Sequence, residues 1–196
     1  IGLWLSMAEP YLAEVAATAR YDWLLIDGEH APNDLRSTLA ALQAIQGYPD
    51  SHAVVRVPHD GTALIKQVLD IGAKTLLVPM VDTAEQARAI AAATQYPPRG
   101  VRGVGSAVAR SSLWTARADY MDVADDEICL LVQAETVTAM RNLREISPTV
   151  YFNVPKGLEE IATAMDSDPQ LRATLFRRCK AFMFAGAALS QAVWDK

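Results

Sequence analysis

Short apolar runs alternate with longer amphipathic stretches through the first three quarters of the chain. The apolar runs lack the hydrophobic–polar alternation of a strand with one wet face, which is typical of strands buried on both faces in a parallel sheet. Five such strands are predicted, over residues 1–6, 23–27, 53–57, 75–80 and 128–132.

The intervening stretches carry apolar residues at helical spacing. They predict helices over residues 9–20, 33–45, 62–71, 83–94, 118–126 and 137–146. Asn33 is expected to cap the second helix and Gly72 to end the third. Because strands alternate with helices, right-handed crossovers leave two architectures open, a doubly wound sheet and a closed βα barrel. No Gly-rich phosphate motif follows the first strand, which disfavours dinucleotide binding.

Charge and hydropathy exclude two classes of partner. The 196 residues carry a formal net charge of −5, so no large basic field is expected and nucleic acid is excluded as a partner. No apolar run reaches the roughly 18 residues that a membrane-spanning helix needs, so no membrane partner is expected.

The N-terminus and the cysteines indicate where the chain acts. Ile1 opens a strand without a starting Met or a basic leader, which predicts a fragment at this end and no signal peptide. Two cysteines, Cys129 and Cys179, cannot form a disulfide framework and lie in apolar surroundings. Buried free thiols in a reducing cytoplasm are therefore expected.

Polar side chains gather where successive predicted strands end. They are Asp27, Glu29 and His30 after the second strand, Arg56 in the third, and Gln133 and Glu135 after the fifth. In a βα barrel these ends open onto the face that carries active sites. Each group also has a plain structural explanation, as a loop, an ion-pair partner or a helix cap, and these alternatives stay open.

Such a set supports chemistry on a 2-keto acid. The Glu135 carboxylate could hold a hard divalent cation, which polarises the keto group and stabilises an enolate. Arg56 could bind an oxyanion or a carboxylate through its fork of donors. His30 could move protons if an acid such as Asp70 orients it.

Six sequence words extend this hypothesis: IGLWLS, YDWLLIDGEHAPND, AVVRV, IKQVLDIGAKTLLVPMV, QYPPRGVRGVGSAVAR and LLVQAET. Through them, residues 1–146 resemble the 4-hydroxy-2-oxoheptanedioate aldolases, in the wider group that includes citrate lyase β subunits. The resemblance implies a (β/α)8 barrel of the TIM type and a divalent metal, Mg²⁺, Mn²⁺ or Co²⁺. It implies a class II aldolase that reversibly cleaves 4-hydroxy-2-oxo acids to pyruvate and an aldehyde without a Schiff-base lysine. A homo-oligomer and a place in aromatic compound catabolism are implied as well.

The resemblance also implies a role for each polar residue. His30 matches the proton-transfer histidine and Asp70 the acid paired with it. Arg56 matches the arginine that stabilises the enolate and anchors pyruvate, and Glu135 matches a metal ligand. Asp27 and Glu29 match acids that arrange the metal-bound water and the histidine, and Gln133 lines the same pocket. Val57 departs from the pattern, because the family often has Pro after the arginine.

The resemblance ends near Ile146, before the Gly-Pro-x-Asp-Leu-Ser word that holds the family's second metal ligand. Residues 148–196 resemble an internal piece of feruloyl-CoA synthase, an adenylate-forming acyl-CoA synthetase, with AGAALS at residues 185–190. We therefore predict a partial barrel over residues 1–147, with five family-like βα units, and a foreign tail over residues 148–196.

The tail leaves the barrel incomplete. Residues 149–154 and 181–185 could form a sixth and a seventh strand, and an eighth has no candidate. Asn153 could offer an amide oxygen in place of the lost metal ligand. Two alternatives to an active aldolase remain: a non-catalytic fusion fragment and a remnant of an acyl-CoA synthetase binding site.

Overall fold

The computed structural model describes residues 1–146, 150–153, 155–178 and 181–184. The chain divides into two compact units. Unit 1 comprises residues 1–78 and 89–131, and unit 2 comprises residues 79–88 and the described residues after 131. The predicted division into segments 1–147 and 148–196 concerns their origin and stays a prediction.

All five predicted strands form one sheet. They are β1 (Gly2–Leu5), β2 (Trp23–Asp27), β3 (His52–Arg56), β4 (Thr75–Val78) and β5 (Cys129–Val132), in that spatial order. The pairings from β1 to β4 are parallel. Most residues of β2, β3 and β4 are buried, and Leu24, Ile26 and Leu76 completely so, which confirms burial on both faces for these three strands. The residues of β1 and β5 are only partly buried or exposed.

The helices follow the predicted rhythm, with shorter ends. They are α1 (Pro10–Thr18), α2 (Leu35–Ile45), α3 (Thr62–Asp70), α4 (Ala84–Thr94), α5 (Tyr120–Val123), α6 (Val137–Arg141), α7 (Leu143–Ile146), α8 (Pro155–Ser167) and α9 (Pro169–Arg178). The helix predicted over 118–126 is the single turn α5 followed by a 3-10 turn, Ala124–Glu127. Gly72, with a φ of 103°, follows α3 in the left-handed conformation, as expected.

Two local predictions were wrong. Asp34, rather than Asn33, caps α2: its carboxylate accepts from the Ser37 backbone N–H at 2.8 Å, and the Ser37 hydroxyl accepts from the Asp34 N–H at 2.8 Å. The helix predicted over 137–146 breaks at Asn142 into α6 and α7. Asn142 is the C-cap of α6, and its side-chain amide donates to the Asp82 carbonyl at 2.9 Å.

Unit 2 has its own small sheet and core. Strands β6 (Val150–Asn153) and β7 (Ala181–Phe184) pair in parallel, close to the positions expected for strands six and seven. The core is a cluster of buried apolar side chains: Ala134, Ala139, Leu143, Leu158, Ile161 and Leu175. Removing such side chains from water contributes about 1.5–3 kcal/mol for each fully buried Leu or Ile.

One of the two cysteines, Cys129, lies among the described residues. Cys129 is a free thiol, but it is exposed rather than buried, because it begins β5 and precedes the more covered part of that strand. Cys179 lies outside the described residues. No helix in the described part of the chain is long and apolar enough to cross a membrane.

Candidate active site

A buried arginine joins the carboxyl ends of β2 and β3. Arg56 lies in register with Asp27 across the two strands. Its Nε and Nη2 atoms donate to the two Asp27 carboxylate oxygens at 2.9 and 2.7 Å, and Nη1 lies 2.8 Å from Glu29 Oε2. The guanidinium also stacks over the Trp4 ring of β1, 4.4 Å from its centroid. Three strands therefore fix one cation, whose side chain is only 7% exposed.

The turn after β2 approaches this cation closely. The Gly28 N–H donates to the Arg56 carbonyl at 2.8 Å. A Cβ at Gly28 would lie 2.7 Å from that carbonyl oxygen, so only glycine fits at this point of the turn. The glycine of the IDGEH word is thereby explained by backbone contact.

Asp27 is the ionised partner of Arg56. Burial raises the pKa of Asp27, but the Arg56 hydrogen bonds and the backbone N–H groups of Glu29 and His30 lower it by more, so the pKa lies below its ordinary value. These N–H groups donate to Asp27 Oδ1 at 3.0 and 3.2 Å. With Arg56 at +1 and Asp27 and Glu29 each at −1, the cluster carries one net negative charge when all three are ionised.

His30 and Asp70 are not brought together. The His30 side chain is 74% exposed, and its Nε2 lies 3.7 Å from Glu29 Oε2. Asp70 ends α3 and instead accepts from Arg102 Nη2 at 2.8 Å. Among the described residues no hydrogen bond joins Asp70 to His30. The structure thus assembles Asp27, Glu29, His30 and Arg56 and leaves Asp70 in another contact.

Sequence reasoning missed Arg102, which is completely buried. Besides Asp70, its Nη2 donates to the Tyr120 hydroxyl at 3.1 Å, and its guanidinium stacks 4.4 Å from the Tyr96 ring centroid. Within the part of the chain that the structure describes, its Nε and Nη1 have no hydrogen-bond partner. The available signal was an arginine between glycines in the PPRGVRGVG loop.

Unit 2 holds Glu135 through two hydrogen bonds. The Met80 backbone N–H donates to Glu135 Oε1 at 2.9 Å, and Gln133 Nε2 donates to Oε2 at 3.3 Å. Met80 adopts a left-handed φ of 57° to present this N–H. Thr136, not Glu135, caps α6, because its hydroxyl accepts from the Ala139 N–H at 3.0 Å. Glu135 is therefore oriented without serving as the helix cap.

The donor set for a metal is narrow but chemically suitable. No group of three or more His, Cys, Asp or Glu side chains with metal-binding geometry occurs among the described residues. Each Glu135 oxygen accepts one described hydrogen bond and so retains lone-pair capacity. One or two carboxylates with several waters suit Mg²⁺, so Glu135 fits such an ion. Asn153 ends β6, but its side chain is not among the described parts of the structure, so its role as a substitute metal ligand stays a prediction.

Comparison with known proteins identifies relatives of this chain. Residues 1–163 match the family model described as HpcH/HpaI aldolase/citrate lyase. A hydroxypyruvate/pyruvate aldolase of Cupriavidus necator is 72% identical over 146 residues, covering 74% of this chain and 54% of that protein. A 4-hydroxy-2-oxovalerate aldolase of Rhodococcus jostii is 56% identical over 147 residues, covering 75% and 56%. The chain spans about half the length of the curated relatives that it matches.

Solved structures share the fold. A crystal structure of an HpcH/HpaI aldolase/citrate lyase family protein from Burkholderia cenocepacia J2315 has a TM-score of 0.79 at 29% identity, covering 98% of this chain and 88% of that one. This match confirms the expected fold class, a parallel α/β fold of the TIM-barrel type. The family model also extends past Ile146, where the sequence words end.

Proposed function

The chain belongs to the HpcH/HpaI aldolase/citrate lyase family, and from this premise we propose that it acts as a metal-dependent pyruvate aldolase. The reaction is the reversible cleavage of a 4-hydroxy-2-oxo acid to pyruvate and an aldehyde. The observation that carries the proposal is the Arg56 guanidinium held by Asp27, Glu29 and Trp4, with the exposed His30 beside Glu29.

Arg56 is the group that binds the substrate in this proposal. Asp27 and Trp4 fix its guanidinium in advance, so little reorganisation accompanies binding of the developing enolate oxygen or of the pyruvate carboxylate. The Arg56–Glu29 contact is the more exposed of its two ion pairs, with Glu29 at 17% and Asp27 at 4% exposure. We therefore assign Glu29, rather than Asp27, as the carboxylate that yields to substrate.

His30 is the proposed proton-transfer group. Cleavage requires loss of the proton on the 4-hydroxyl group and later protonation of C3 of the enolate. An exposed imidazole can perform both transfers at neutral pH. Glu29 Oε2, 3.7 Å from Nε2, is the described acid nearest to this ring, so we give it the orienting role that the sequence assigned to Asp70.

A divalent cation, Mg²⁺, Mn²⁺ or Co²⁺, is the proposed cofactor, with Glu135 as its protein ligand. When bound, such an ion polarises the 2-keto oxygen. Gln133 and the Met80 N–H fix the orientation of the Glu135 carboxylate, and Gln133 is proposed to contact the substrate. The small-molecule partners are thus pyruvate and an aldehyde; a homo-oligomer and a cytoplasmic location stay predictions.

Exchange of the methyl protons of pyruvate in heavy water tests this function without knowledge of the aldehyde. We expect Mg²⁺-dependent exchange, measured by proton NMR and abolished by EDTA. His30→Gln should slow it by about 100-fold or more, since general acid–base groups contribute about 10²–10⁴-fold. His59→Gln is the matched control, because His59 lies exposed in a loop, and it should exchange at the wild-type rate. Folded wild-type protein that exchanges no protons with Mg²⁺, Mn²⁺ or Co²⁺ present would exclude the aldolase.

A non-catalytic protein is the second candidate. It is favoured by the Asp70–Arg102 pair, because this contact occupies the acid that the family resemblance assigns to His30. The same exchange assay decides between the two. The resemblance of residues 148–196 to an acyl-CoA synthetase stays a prediction, and its AGAALS stretch lies outside the described residues.

A further inference from the structure

A cavity of about 790 Å³ opens in unit 1 at the amino ends of the strands. Residues that begin or precede β3, β4 and β5 line it, among them His52, Thr75 and Ile128. Arg56 and the turn after β2 lie at the carboxyl ends of these strands, so the cavity is separate from the candidate active site. Its volume lies within the range of about 300–1,000 Å³ typical of small-molecule sites.

The cavity is positively charged in a negatively charged protein. Its lining contains three cations, Lys74, Arg110 and Arg117, and one carboxylate, Glu127. With His52 neutral, three minus one gives a formal charge of +2, whereas the whole chain carries −5. Lys74 and Arg117 both contact Glu127, at 2.8 and 2.5 Å. Arg117 also pairs with Asp119, which lies outside the lining, at 3.1 Å. Lys74 and Arg117 are thus balanced by Glu127 and Asp119, and the positive charge without an ionic partner is that of Arg110.

Arg110 has only neutral partners. Its Nη1 donates to the Ile71 carbonyl at 2.9 Å, and its Nη2 donates to Gln46 Oε1. No described carboxylate forms an ion pair with it, and burial lowers its pKa without an opposing charge. The Ile71 contact also places the guanidinium at the carboxyl end of α3, where the helix dipole favours a cation. This structural role explains its position but leaves its charge without an anion.

The neighbouring Ser111 supplies a second unused donor. Its hydroxyl oxygen is buried and has no hydrogen-bond partner in the described part of the chain. A buried hydroxyl without a hydrogen-bond partner is destabilising. Arg110 and Ser111 are consecutive residues, and both line the cavity.

The turn that follows Arg110 and Ser111 adds apolar side chains to the lining and has an unfavourable backbone conformation. Leu113, Trp114 and Thr115 are three consecutive non-glycine residues with left-handed φ angles of 52°, 52° and 76°. This conformation is unfavourable for residues that carry a side chain. The Trp114 N–H holds the turn by donating to the Ala109 carbonyl at 3.1 Å. Leu113 and Trp114 line the cavity while 50% and 60% exposed, so the turn offers apolar surface to an occupant.

We propose that this cavity binds a small aromatic carboxylate. Its carboxylate accepts hydrogen bonds from Arg110 and Ser111, and its ring packs against Leu113 and Trp114. An anion without a ring makes only the hydrogen bonds to Arg110 and Ser111, and a neutral aromatic molecule makes only the apolar contacts with Leu113 and Trp114. The site stands independently of the aldolase proposal, because none of its residues belongs to the candidate active site.

Calorimetric titration of the full chain with benzoate tests the site. Two half-probes serve as comparison: acetate, which has the carboxylate without a ring, and benzyl alcohol, which has the ring without a charge. We expect saturable benzoate binding and at least tenfold weaker binding of each half-probe. Arg110→Gln should weaken benzoate about tenfold or more, since a hydrogen bond to a charged group contributes about 1.5–3 kcal/mol. Arg36→Gln, an exposed arginine on α2 outside the cavity, is the control and should bind as wild type.

Ser111→Ala keeps the test decisive if Arg110→Gln fails to fold through loss of its contact at the end of α3. It removes an unpaired hydroxyl, so it should remain folded by circular dichroism and bind benzoate several-fold more weakly. Three results overturn the proposal: no saturable benzoate binding up to about 10 mM, benzyl alcohol binding as tightly as benzoate, or unchanged affinity in every folded Arg110 or Ser111 variant.

Discussion

Replacing Arg56 by methionine should destabilise unit 1 strongly at neutral pH. Methionine retains an apolar side chain against Trp4 but removes the counter-ion of two carboxylates. Asp27 and Glu29 are 4% and 17% exposed and lose hydrogen bonds or ion contacts of 2.7–2.9 Å. Breaking a buried ion pair from one side costs about 3–5 kcal/mol, since an uncompensated charge stays buried. We expect a loss of this size in the free energy of unfolding at pH 7.

The loss should shrink as the pH falls. In the wild type the pKa of Asp27 is lowered, so its contribution is present above the ordinary value of 3.8 and is lost as the pH drops below it. In Arg56→Met the burial remains while the arginine is gone, so the pKa of Asp27 is higher than in the wild type. The folded variant therefore neutralises Asp27 at a higher pH than the folded wild type does. The destabilisation caused by the substitution should thus be smaller at pH 4.5 than at pH 7.

Urea unfolding at pH 7 and pH 4.5, followed by tryptophan fluorescence and circular dichroism, measures both effects. Arg20→Met is the matched control, because Arg20 pairs with Asp50 at 3.0 Å with both side chains exposed, at 78% and 63%. Such surface pairs contribute about 0–1 kcal/mol. If Arg56→Met unfolds at the wild-type urea concentration at pH 7, or its penalty is equal at both pH values, the buried-charge reasoning is wrong.

Three further changes test the local structure. Gly72→Ala should lower the free energy of unfolding in urea by about 1 kcal/mol or more, because the φ of Gly72 is 103° and a Cβ there would lie close to Arg110. Gly47→Ala is the control and should be nearly neutral in the same assay, because a Cβ at Gly47 would meet open space. Asp34→Ala should cost about 1 kcal/mol by removing the cap of α2, seen as faster hydrogen exchange of the Ser37 amide. Hydrogen bonds from Arg117 and Lys74 lower the pKa of Glu127 from 4.5 to about 2, so its NMR titration midpoint should lie near 2 and rise in Arg117→Met.

The strands were the most predictable part of the fold. The apolar runs are four to six residues long and rich in Val, Ile and Leu, which favours buried strands over buried helix segments, as in Trp23–Asp27. The helices α1 to α4 were equally clear from their spacing. Their ends shifted by one or two residues, because the terminal residues contribute few buried contacts and several neighbours can serve as caps. Asn33 and Asp34 illustrate this, since both side chains can cap a helix.

Partners distant in sequence were not predictable. The Asp70–Arg102 pair joins residues 32 positions apart, and the Asn142–Asp82 bond joins residues 60 positions apart. The glycines around Arg102 in its loop mark the position, but they do not indicate that its partner is Asp70. Whether Asp70 meets His30 or an arginine depends on the path of a loop, and a hydrophobic pattern does not encode that path.

The sequence left two roles open for Arg56, a structural ion-pair partner and a ligand of the substrate. The charges around Arg56 make these two roles compatible. As an ion-pair partner Arg56 is neutralised by Asp27, and Glu29 brings the cluster to a net charge of −1 when all three are ionised. Such a cluster repels the pyruvate carboxylate, although its guanidinium has the right shape to bind it. In the proposed aldolase reaction a divalent cation would supply the positive charge that offsets this repulsion. The charge balance around Arg56 thus adds a second argument for the proposed metal, and this argument starts from the family assignment, as the proposed reaction does.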